Sequence, residues 1–393
     1  MRGSKRMKTH ISASQHGRGT ECAKSHYYWY QMGYRPVTQS AALLFGSAVE
    51  AGINELVLGK SDAEVRAAFD KKWSFQEING VYTHLPRCKD IVYAESDFDD
   101  DLLTADDRKL IETTFGITDL NMEIARVYED KKYAGFLAMP DDRKEFLNFI
   151  NWVCLYRKAL YMFDAVRENI LPLITEVLSV QERIEIQGYD AEGNPTDDSI
   201  LGFIDMVVRL KDVPYPVVLD WKTSSREYDP DSVRLSTQLS VYVHAISEKY
   251  ENTRFAAYGV LQKHMTKTTR KICTKCGADG SGKKHKTCDA EINGERCHGV
   301  WDITITFKAR VNLLVDQIPE HTENIVLENM AQFNQLIKNG IFIRNFNACD
   351  KPWGRCPFFA MCRENKGDDG LIKVSADSKG RRNENVPLAS HGR

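Results

Sequence analysis

The sequence predicts a mixed α/β protein with an ordered run of strands in its second half. Apolar runs over 175–187, 200–210 and 216–221 predict three successive strands. A helical pattern over 231–249 follows, and the apolar run 255–261 predicts one more strand. The 393 residues are 42% hydrophobic and 27% charged, which is typical of a globular protein with one large core or two smaller ones.

Composition excludes several classes of protein. The net charge is −2, so any attraction to nucleic acid must be local. The basic N-terminus leads into polar residues, unlike a secretory signal, and the apolar stretch 146–166 contains three charged residues, unlike a membrane span. We therefore expect a cytoplasmic protein, of a bacterium or a phage-infected host, with no membrane partner. Its ten cysteines indicate metal binding rather than disulfides, with Cys88 and Cys154 as free thiols.

The strands at 200–210 and 216–221 carry two acids and a lysine. Asp205 ends a Gly-x-x-Asp, and Asp220-Trp221-Lys222 follows after fourteen residues. In a strand, Asp220 and Lys222 point to one face and Trp221 to the other. Pairing across a turn at 211–215 would bring Asp205 beside Asp220. Two adjacent carboxylates favour Mg²⁺ or Mn²⁺, and the lysine could orient or deprotonate a water, which is equipment for phosphodiester hydrolysis. The alternative is a hairpin with surface charges.

The next helix adds Gln238 and Tyr242, which lie four residues apart and share one helix face. Gly-x-x-Asp, Asp-x-Lys and Gln-x-x-x-Tyr in this order resemble the RecB-like branch of the PD-(D/E)xK nuclease superfamily. The resemblance implies a restriction-endonuclease-like core, a mixed sheet flanked by helices. It also implies metal ligands and catalytic residues, namely Asp205, Asp220 and the Trp221 carbonyl as ligands, a catalytic Lys222, and support from Gln238 and Tyr242.

An earlier helix supplies the expected first ligand. After Leu44-Phe45-Gly46, the family usually places a histidine where this chain has Glu50. A helical glutamate is the first ligand of many other superfamily nucleases, so Glu50 is expected to bind the same Mg²⁺ or Mn²⁺. A solvated helix face is the alternative. Residues 57–170 are expected to form a helical insertion. Its acidic stretch 95–107 is interpreted as a solvated loop, with DNA mimicry as the alternative.

Both ends of the chain resemble nucleases of this branch that carry a [4Fe–4S] cluster. Near the N-terminus, Ser-x-Ser leads to a cysteine and then to the aromatic run 27–30, which is expected to pack in the core or to stack on unpaired bases. Three more cysteines lie near the other end. The implied ligands are Cys22, Cys349, Cys356 and Cys362. Four thiolates suit either a cluster or a second zinc ion.

Four further cysteines predict a zinc ribbon inserted after the 255–261 strand. Cys273-x2-Cys276 is followed by Cys288 and Cys297, and four soft ligands suit tetrahedral Zn²⁺. His285 or His298 could replace one thiolate. Residues 263–286 hold eight Lys or Arg against one acid, which favours phosphate contacts over a purely structural role. The expected DNA-binding residues are Lys263, Lys267, Arg270, Lys271, Lys283 and Lys284.

These features divide the chain and suggest its role. The expected segments are 1–56 with the first cluster cysteine and motif helix, 57–170, a nuclease core 171–270, the zinc ribbon 271–299, the end of the core with the last cysteines 300–365, and a flexible tail 366–393. We expect a Mg²⁺- or Mn²⁺-dependent DNA exonuclease or end-processing nuclease of recombination, repair or replication, acting on single-stranded or duplex ends beside recombination or replication proteins. The alternatives are a non-catalytic DNA-end-binding protein and a nuclease of the CRISPR-adaptation type.

Overall fold

The computed structural model describes residues 10–374 except for 38, 74–75, 79–80, 84–90, 94–96, 135–139, 191, 252, 283–285, 293 and 352–353. Cys88, Lys283, Lys284, His285 and the tail residues 375–393 therefore lie outside the described residues.

The described helices and strands are as follows. The helices are α1 (Ala13–Glu21), α2 (Ala23–His26), α3 (Ala41–Val57), α4 (Asp62–Trp73), α5 (Ala105–Phe115), α6 (Leu120–Ala134), α7 (Asp141–Asn169), α8 (Thr237–Ile246), α9 (Glu320–Lys338) and α10 (Phe359–Arg363). The strands are β1 (His10–Ile11), β2 (Tyr34–Pro36), β3 (Gln39–Ser40), β4 (Gln76–Ile78), β5 (Val81–Thr83), β6 (Ile91–Val92), β7 (Ile174–Tyr189), β8 (Pro195–Leu210), β9 (Val217–Ser224), β10 (Phe255–Gln262), β11 (Thr266–Cys273), β12 (Glu291–Ile292), β13 (Glu295–Arg296), β14 (Trp301–Lys308), β15 (Val311–Gln317), β16 (Asp350–Lys351), β17 (Gly354–Arg355) and β18 (Leu371–Lys373).

A mixed sheet forms the centre of the fold. Its strand order is β1-β8-β9-β10-β15, with β7 antiparallel to β8. Strands β8 and β9 are antiparallel, β9 and β10 are parallel, and β10 and β15 are antiparallel. The parallel pair requires a crossover, which α8 supplies. The predicted mixed α/β class is confirmed, and so is the order of helix α3, strands β7 to β9, helix α8 and strand β10.

Helices cover both faces of this sheet. Helices α3, α4 and α7 pack on the face that presents Val217, Leu219 and Trp221. Helices α8 and α9 pack on the opposite face, where Val218 is buried. This alternation follows from the period of two along β9 and leaves Asp220 and Lys222 on the α8 side.

The region before the sheet is largely helical where the structure describes it. Helix α7 has sixteen buried residues, thirteen of which belong to the larger hydrophobic core. None of the helices in the described part of the chain combines the length and apolar character needed to cross a membrane. Helix α5 begins with a capping box between Thr104 and Asp107 and ends at Gly116, whose φ of 63° suits glycine.

The acidic stretch does not form a purely solvated loop. Asp97 is fully buried and bonds to the equally buried Lys263 at 2.9 Å. Asp101 pairs with Lys267, and Asp107 accepts from Arg157 at 2.7 Å. This ion pair argues against Lys263 as a DNA contact, because its ammonium is buried against a carboxylate. Lys267 is half-exposed but already paired with an acid.

Three element boundaries differ from prediction. Helix α8 begins only at Thr237, because the Ser236 side chain accepts from Leu239 N at 3.1 Å and caps it, while Pro230–Ser232 forms a separate 3₁₀ turn. Strand β11 was not predicted; it pairs with β14 over eight residues and forms the stem of the ribbon expected in this region. Strand β18, inside the segment expected to be a flexible tail, pairs with β2 near the N-terminus.

Candidate active site and cysteine clusters

A fork in the sheet lies between β8 and β9. Along one edge of β8, pairing with β1 covers Ser199 and Ile200, and pairing with β9 covers 206–208. Gly202 and Asp205 lie between these two segments. Strand β9 continues along β10 as far as Ser224. The fork therefore opens where the Gly-x-x-Asp and Asp-x-Lys motifs meet.

Asp205 and Glu50 converge at this fork. Asp205 is 5% exposed, and its Oδ2 accepts from Trp221 N at 3.1 Å. Glu50 approaches from α3 on the other side. Gln181 Nε2, from β7, donates to Glu50 Oε1 at 2.8 Å and lies 3.5 Å from Asp205 Oδ1. A single amide nitrogen thus lies within reach of both carboxylates.

Asp220 and Lys222 form the second half of the site. Asp220 is 1% exposed and its Oδ2 is ion-paired with Lys222 Nζ. Lys222 Nζ also donates to Gln238 Oε1 at 3.2 Å, and Gln238 Nε2 donates to Tyr242 Oη at 2.9 Å. A continuous hydrogen-bonded chain therefore runs from the buried carboxylate to α8, and all five predicted motif residues meet at one place.

Two glycines allow the close packing of this site. A Cβ on Gly202 would lie 2.8 Å from Tyr242 Cε1, so only a residue without a side chain fits where the tyrosine ring packs on the strand. Gly259 of β10 pairs with Trp221 of β9, and a Cβ on Gly259 would clash with the Trp221 ring on the sheet face opposite Asp220. The glycine of Gly-x-x-Asp thus has a steric role in seating Tyr242.

Electrostatics keep the site's proton donors protonated. Burial tends to lower the pKa of Lys222, but the charge and hydrogen bond of Asp220 outweigh it and raise the pKa above its ordinary value. Burial raises the pKa of Tyr242 to about 12. Lys222 is therefore an ammonium in the metal-free protein, held between a carboxylate and an amide oxygen.

Sequence reasoning missed two neighbours of this constellation. Gln181 lies opposite Asp205, and its role could be found only from the register of β7 and β8. The Tyr258 ring lies 5.5 Å from Lys222 Nζ, and its hydroxyl lies 2.6 Å from Ser236 Oγ. Its apolar strand gave no functional signal.

The four central cysteines lie at the tip of the β11/β14 ribbon. Their ligand atoms all lie within 4.8 Å of one another. The Sγ atoms of Cys273 and Cys297 are 3.6 Å apart, and so are those of Cys276 and Cys288. Tetrahedral coordination with Zn–S bonds of about 2.3 Å requires sulfurs separated by about 3.8 Å. The four thiols therefore fit one zinc ion without help from a histidine.

The terminal cysteines also approach one another. Burial, followed by the nearby thiols of Cys22, Cys349 and Cys362, raises the pKa of Cys356. Cys356 N donates to Cys349 O at 2.8 Å. The chain ends are further joined where Asn345 Nδ2 donates to the Glu21 carbonyl at 2.9 Å. Cys22 thus lies in the same region of the fold as Cys349, Cys356 and Cys362, more than 300 residues away in the sequence.

The aromatic segment beside Cys22 is engaged in packing. Two guanidinium groups lie against the Trp29 ring, with Arg18 at 4.0 Å and Arg35 at 4.2 Å from its centre. The Tyr27 ring contacts Phe342, with 4.7 Å between ring centres. These contacts favour structural packing over base stacking for this segment.

The remaining predicted DNA contacts lie on the ribbon. Arg270 is exposed and Lys271 is half-exposed, and they occupy opposite faces of β11. Two apolar residues of β14, Ile303 and Ile305, are also exposed. The ribbon therefore presents basic and apolar side chains together.

Comparison with known proteins adds one finding. Residues 155–363 match the family model of the PD-(D/E)XK nuclease superfamily, which covers just over half of the chain. The match includes Asp205, Asp220 and Lys222, whereas Glu50 and Cys22 precede it. A search of the curated proteins returned no match.

Proposed function

The chain belongs to the PD-(D/E)XK nuclease superfamily, whose members are generally metal-dependent nucleases, and we propose that it is a Mg²⁺- or Mn²⁺-dependent deoxyribonuclease that processes DNA ends. The observation that carries this proposal is the arrangement at the fork between β8 and β9, where Gln181 lies within reach of Glu50 and Asp205, and Lys222 pairs with Asp220 and also feels the charge of Asp205. A surface hairpin would not bury two of these acids almost completely.

The donor set fits a hard divalent cation. Glu50, Asp205 and Asp220 offer carboxylate oxygens, and the Trp221 carbonyl is the fourth proposed ligand. Asp205 is already oriented by Trp221 N, so its second oxygen is directed towards Glu50 and Gln181. When bound, Mg²⁺ or Mn²⁺ would neutralise charge on the phosphate and lower the pKa of a water.

The side chains around the ligands have distinct proposed roles. Lys222 holds the attacking water and donates hydrogen bonds towards the phosphate, with Gln238 fixing the direction of its ammonium. The Tyr242 hydroxyl accepts a hydrogen bond from Gln238, and the Tyr242 ring packs against Gly202. These contacts limit the rotamers of a flexible lysine, which is what accurate placement of a nucleophile requires.

Two further metal sites would stabilise parts of the fold outside the active site. We propose that Cys273, Cys276, Cys288 and Cys297 bind Zn²⁺ at the ribbon tip, and that Arg270 and Lys271 on the same ribbon contact DNA phosphates.

We further propose that the terminal cysteines ligate a [4Fe–4S] cluster, as in the RecB-like branch, and fasten the two ends of the chain together. The proximity of the four thiols supports this proposal. We propose that the protein acts in DNA recombination, repair or replication.

Cleavage of end-labelled DNA tests the activity. We expect anaerobically purified protein to shorten single- or double-stranded DNA only with Mg²⁺ or Mn²⁺. Asp220→Asn and Lys222→Met should lose at least about a hundredfold in rate while keeping a folded circular dichroism spectrum. Lys211→Ala, at an exposed turn between the same strands, is the matched control and should cleave normally.

The same experiment separates the alternatives. Salt-sensitive DNA binding without any metal-dependent cleavage by the wild-type protein would instead identify a non-catalytic DNA-end-binding protein. Near-normal cleavage by both site variants would refute the assignment of the active site.

A further inference from the structure

Gln181 occupies an unusual position in the sheet. In the register of β7 and β8, Val180 pairs with Met206 and Glu182 with Ile204, so Gln181 falls across from Asp205. Its φ is 52°, in the left-handed region that residues other than glycine rarely adopt. The other non-glycine residues with positive φ in the described chain lie in turns or loops, whereas Gln181 lies inside a sixteen-residue strand. Such a conformation persists only where the surroundings hold it.

The side chain of Gln181 joins two elements that are distant in sequence. Its Nε2 donates to Glu50 Oε1 at 2.8 Å and lies 3.5 Å from Asp205 Oδ1. The left-handed backbone is what turns the amide towards α3 and β8 together. Since Asp205 Oδ2 accepts from Trp221 N, each Asp205 oxygen faces a nitrogen donor.

Two carboxylates that approach one another repel, and without a cation they would separate. An amide NH₂ carries two hydrogens with partial positive charge and can serve both acids at once. The same side chain, turned about its last bond, presents a carbonyl oxygen, which is a hard ligand.

We propose that Gln181 is a positioning residue that stands between Glu50 and Asp205 in place of the divalent cation while no metal is bound, and that its amide turns aside when the cation enters. This inference rests on the proposed metal-dependent activity. It explains how a site of adjacent acids stays assembled before metal binds.

The proposal predicts opposite effects for opposite charges at position 181. Gln181→Lys puts a permanent cation between the acids, so Mn²⁺ affinity should fall by at least about a hundredfold while the metal-free Tm stays equal or rises. Gln181→Glu adds a third negative charge of nearly the same shape. Its metal-free Tm should fall, and Mn²⁺ should raise the Tm by more than it does in wild type.

Gln187 provides the matched control. It lies in the same strand, but its Nε2 bonds the backbone carbonyls of Gly188 and Thr196 away from the acids. Gln187→Lys and Gln187→Glu should leave the Mn²⁺ affinity unchanged. Binding is measured by calorimetry and by Mn²⁺ electron paramagnetic resonance, with Asp220→Asn marking the signal that belongs to this site. Tm is measured by circular dichroism in metal-free buffer without a chelator, so that the zinc site is not stripped.

Three outcomes decide the matter. Opposite shifts at position 181 with none at position 187 support the role of Gln181. Wild-type Mn²⁺ affinity and Tm in both position-181 variants would overturn it and leave the nuclease proposal standing. A wild-type protein that binds no Mn²⁺ at this site would overturn the nuclease proposal and this inference with it.

Discussion

Replacing Gly202 with alanine should disable the site without touching a charged group. The added Cβ would lie 2.8 Å from Tyr242 Cε1 and 3.2 Å from Ile184. Carbon atoms pack at about 3.5–4.0 Å, so the tyrosine ring must retreat by about 1 Å. Because Tyr242 is only 4% exposed, it has little room, and we expect a loss of about 1–3 kcal/mol in the free energy of unfolding.

The displacement should also reach the chemistry. Tyr242 holds Gln238, and Gln238 accepts from Lys222 at 3.2 Å. A shift of about 1 Å at a positioning group costs on the order of a hundredfold in rate. We therefore expect Gly202→Ala to bind DNA normally and to cleave it about a hundredfold more slowly in single-turnover reactions.

A second glycine variant shows whether the loss of cleavage rate comes from the contact with Tyr242 or from any glycine-to-alanine change. Gly367→Ala is the control, since a Cβ there meets nothing within 4 Å. Cleavage by Gly202→Ala at the wild-type rate, with its stability reduced as expected, would refute the claim that the tyrosine positions the lysine.

Three further predictions concern other parts of the molecule. Gly299→Ala would drive a Cβ into Cys273 Sγ, so the purified variant should contain less than one zinc per chain by elemental analysis; full occupancy would contradict the proposed zinc geometry. Burial lowers the pKa of His26 to about 4. The unfolded chain therefore takes up a proton at this residue before the folded protein does, so up to about 3 kcal/mol of the free energy of unfolding is present above pH 6.5 and is lost as the pH falls towards 4. His26→Phe should flatten that part of the Tm–pH curve, and an unchanged curve would show that His26 is not responsible. Lys263→Met should cost about 3–5 kcal/mol in the free energy of unfolding, because it removes the ammonium that pairs with the buried Asp97 carboxylate, and it should leave DNA affinity unchanged. A stable variant with weakened binding would instead support Lys263 as a DNA contact.

Features with a short sequence range could be predicted from the sequence. The period of two along β9 places Asp220 and Lys222 opposite Trp221, and the period of the helix places Gln238 one turn from Tyr242. The two-residue spacing between Cys273 and Cys276 likewise indicates that both cysteines lie in one tight turn and bind the same metal ion. These patterns are local, so each constrains its geometry without knowledge of the rest of the fold.

Features that depend on side-chain pairing across the fold could not be predicted. Lys263 and Asp97 lie 166 residues apart, and only the packed structure shows that the acidic stretch neutralises that buried lysine. The charge counts made the same residues look like a DNA-binding surface and a solvated loop. Gln181 was missed for a related reason, since nothing in its strand marks the residue that turns left-handed.

The fork between β8 and β9 has a physical cost that the surrounding packing must offset. Where pairing with β8 ends, Trp221 N donates to the Asp205 carboxylate, so an aspartate side chain replaces a backbone carbonyl of the partner strand. Strand β9 is held instead by β10, with the Trp221 ring seated on Gly259. The strand that carries Asp220 and Lys222 is therefore held on its β10 side, and its contact with β8 near the site is the charge-assisted hydrogen bond from Trp221 N to Asp205. The proposed cation at Asp205 would act on that same contact, which would link metal binding to the pairing of β8 and β9 through a single backbone amide.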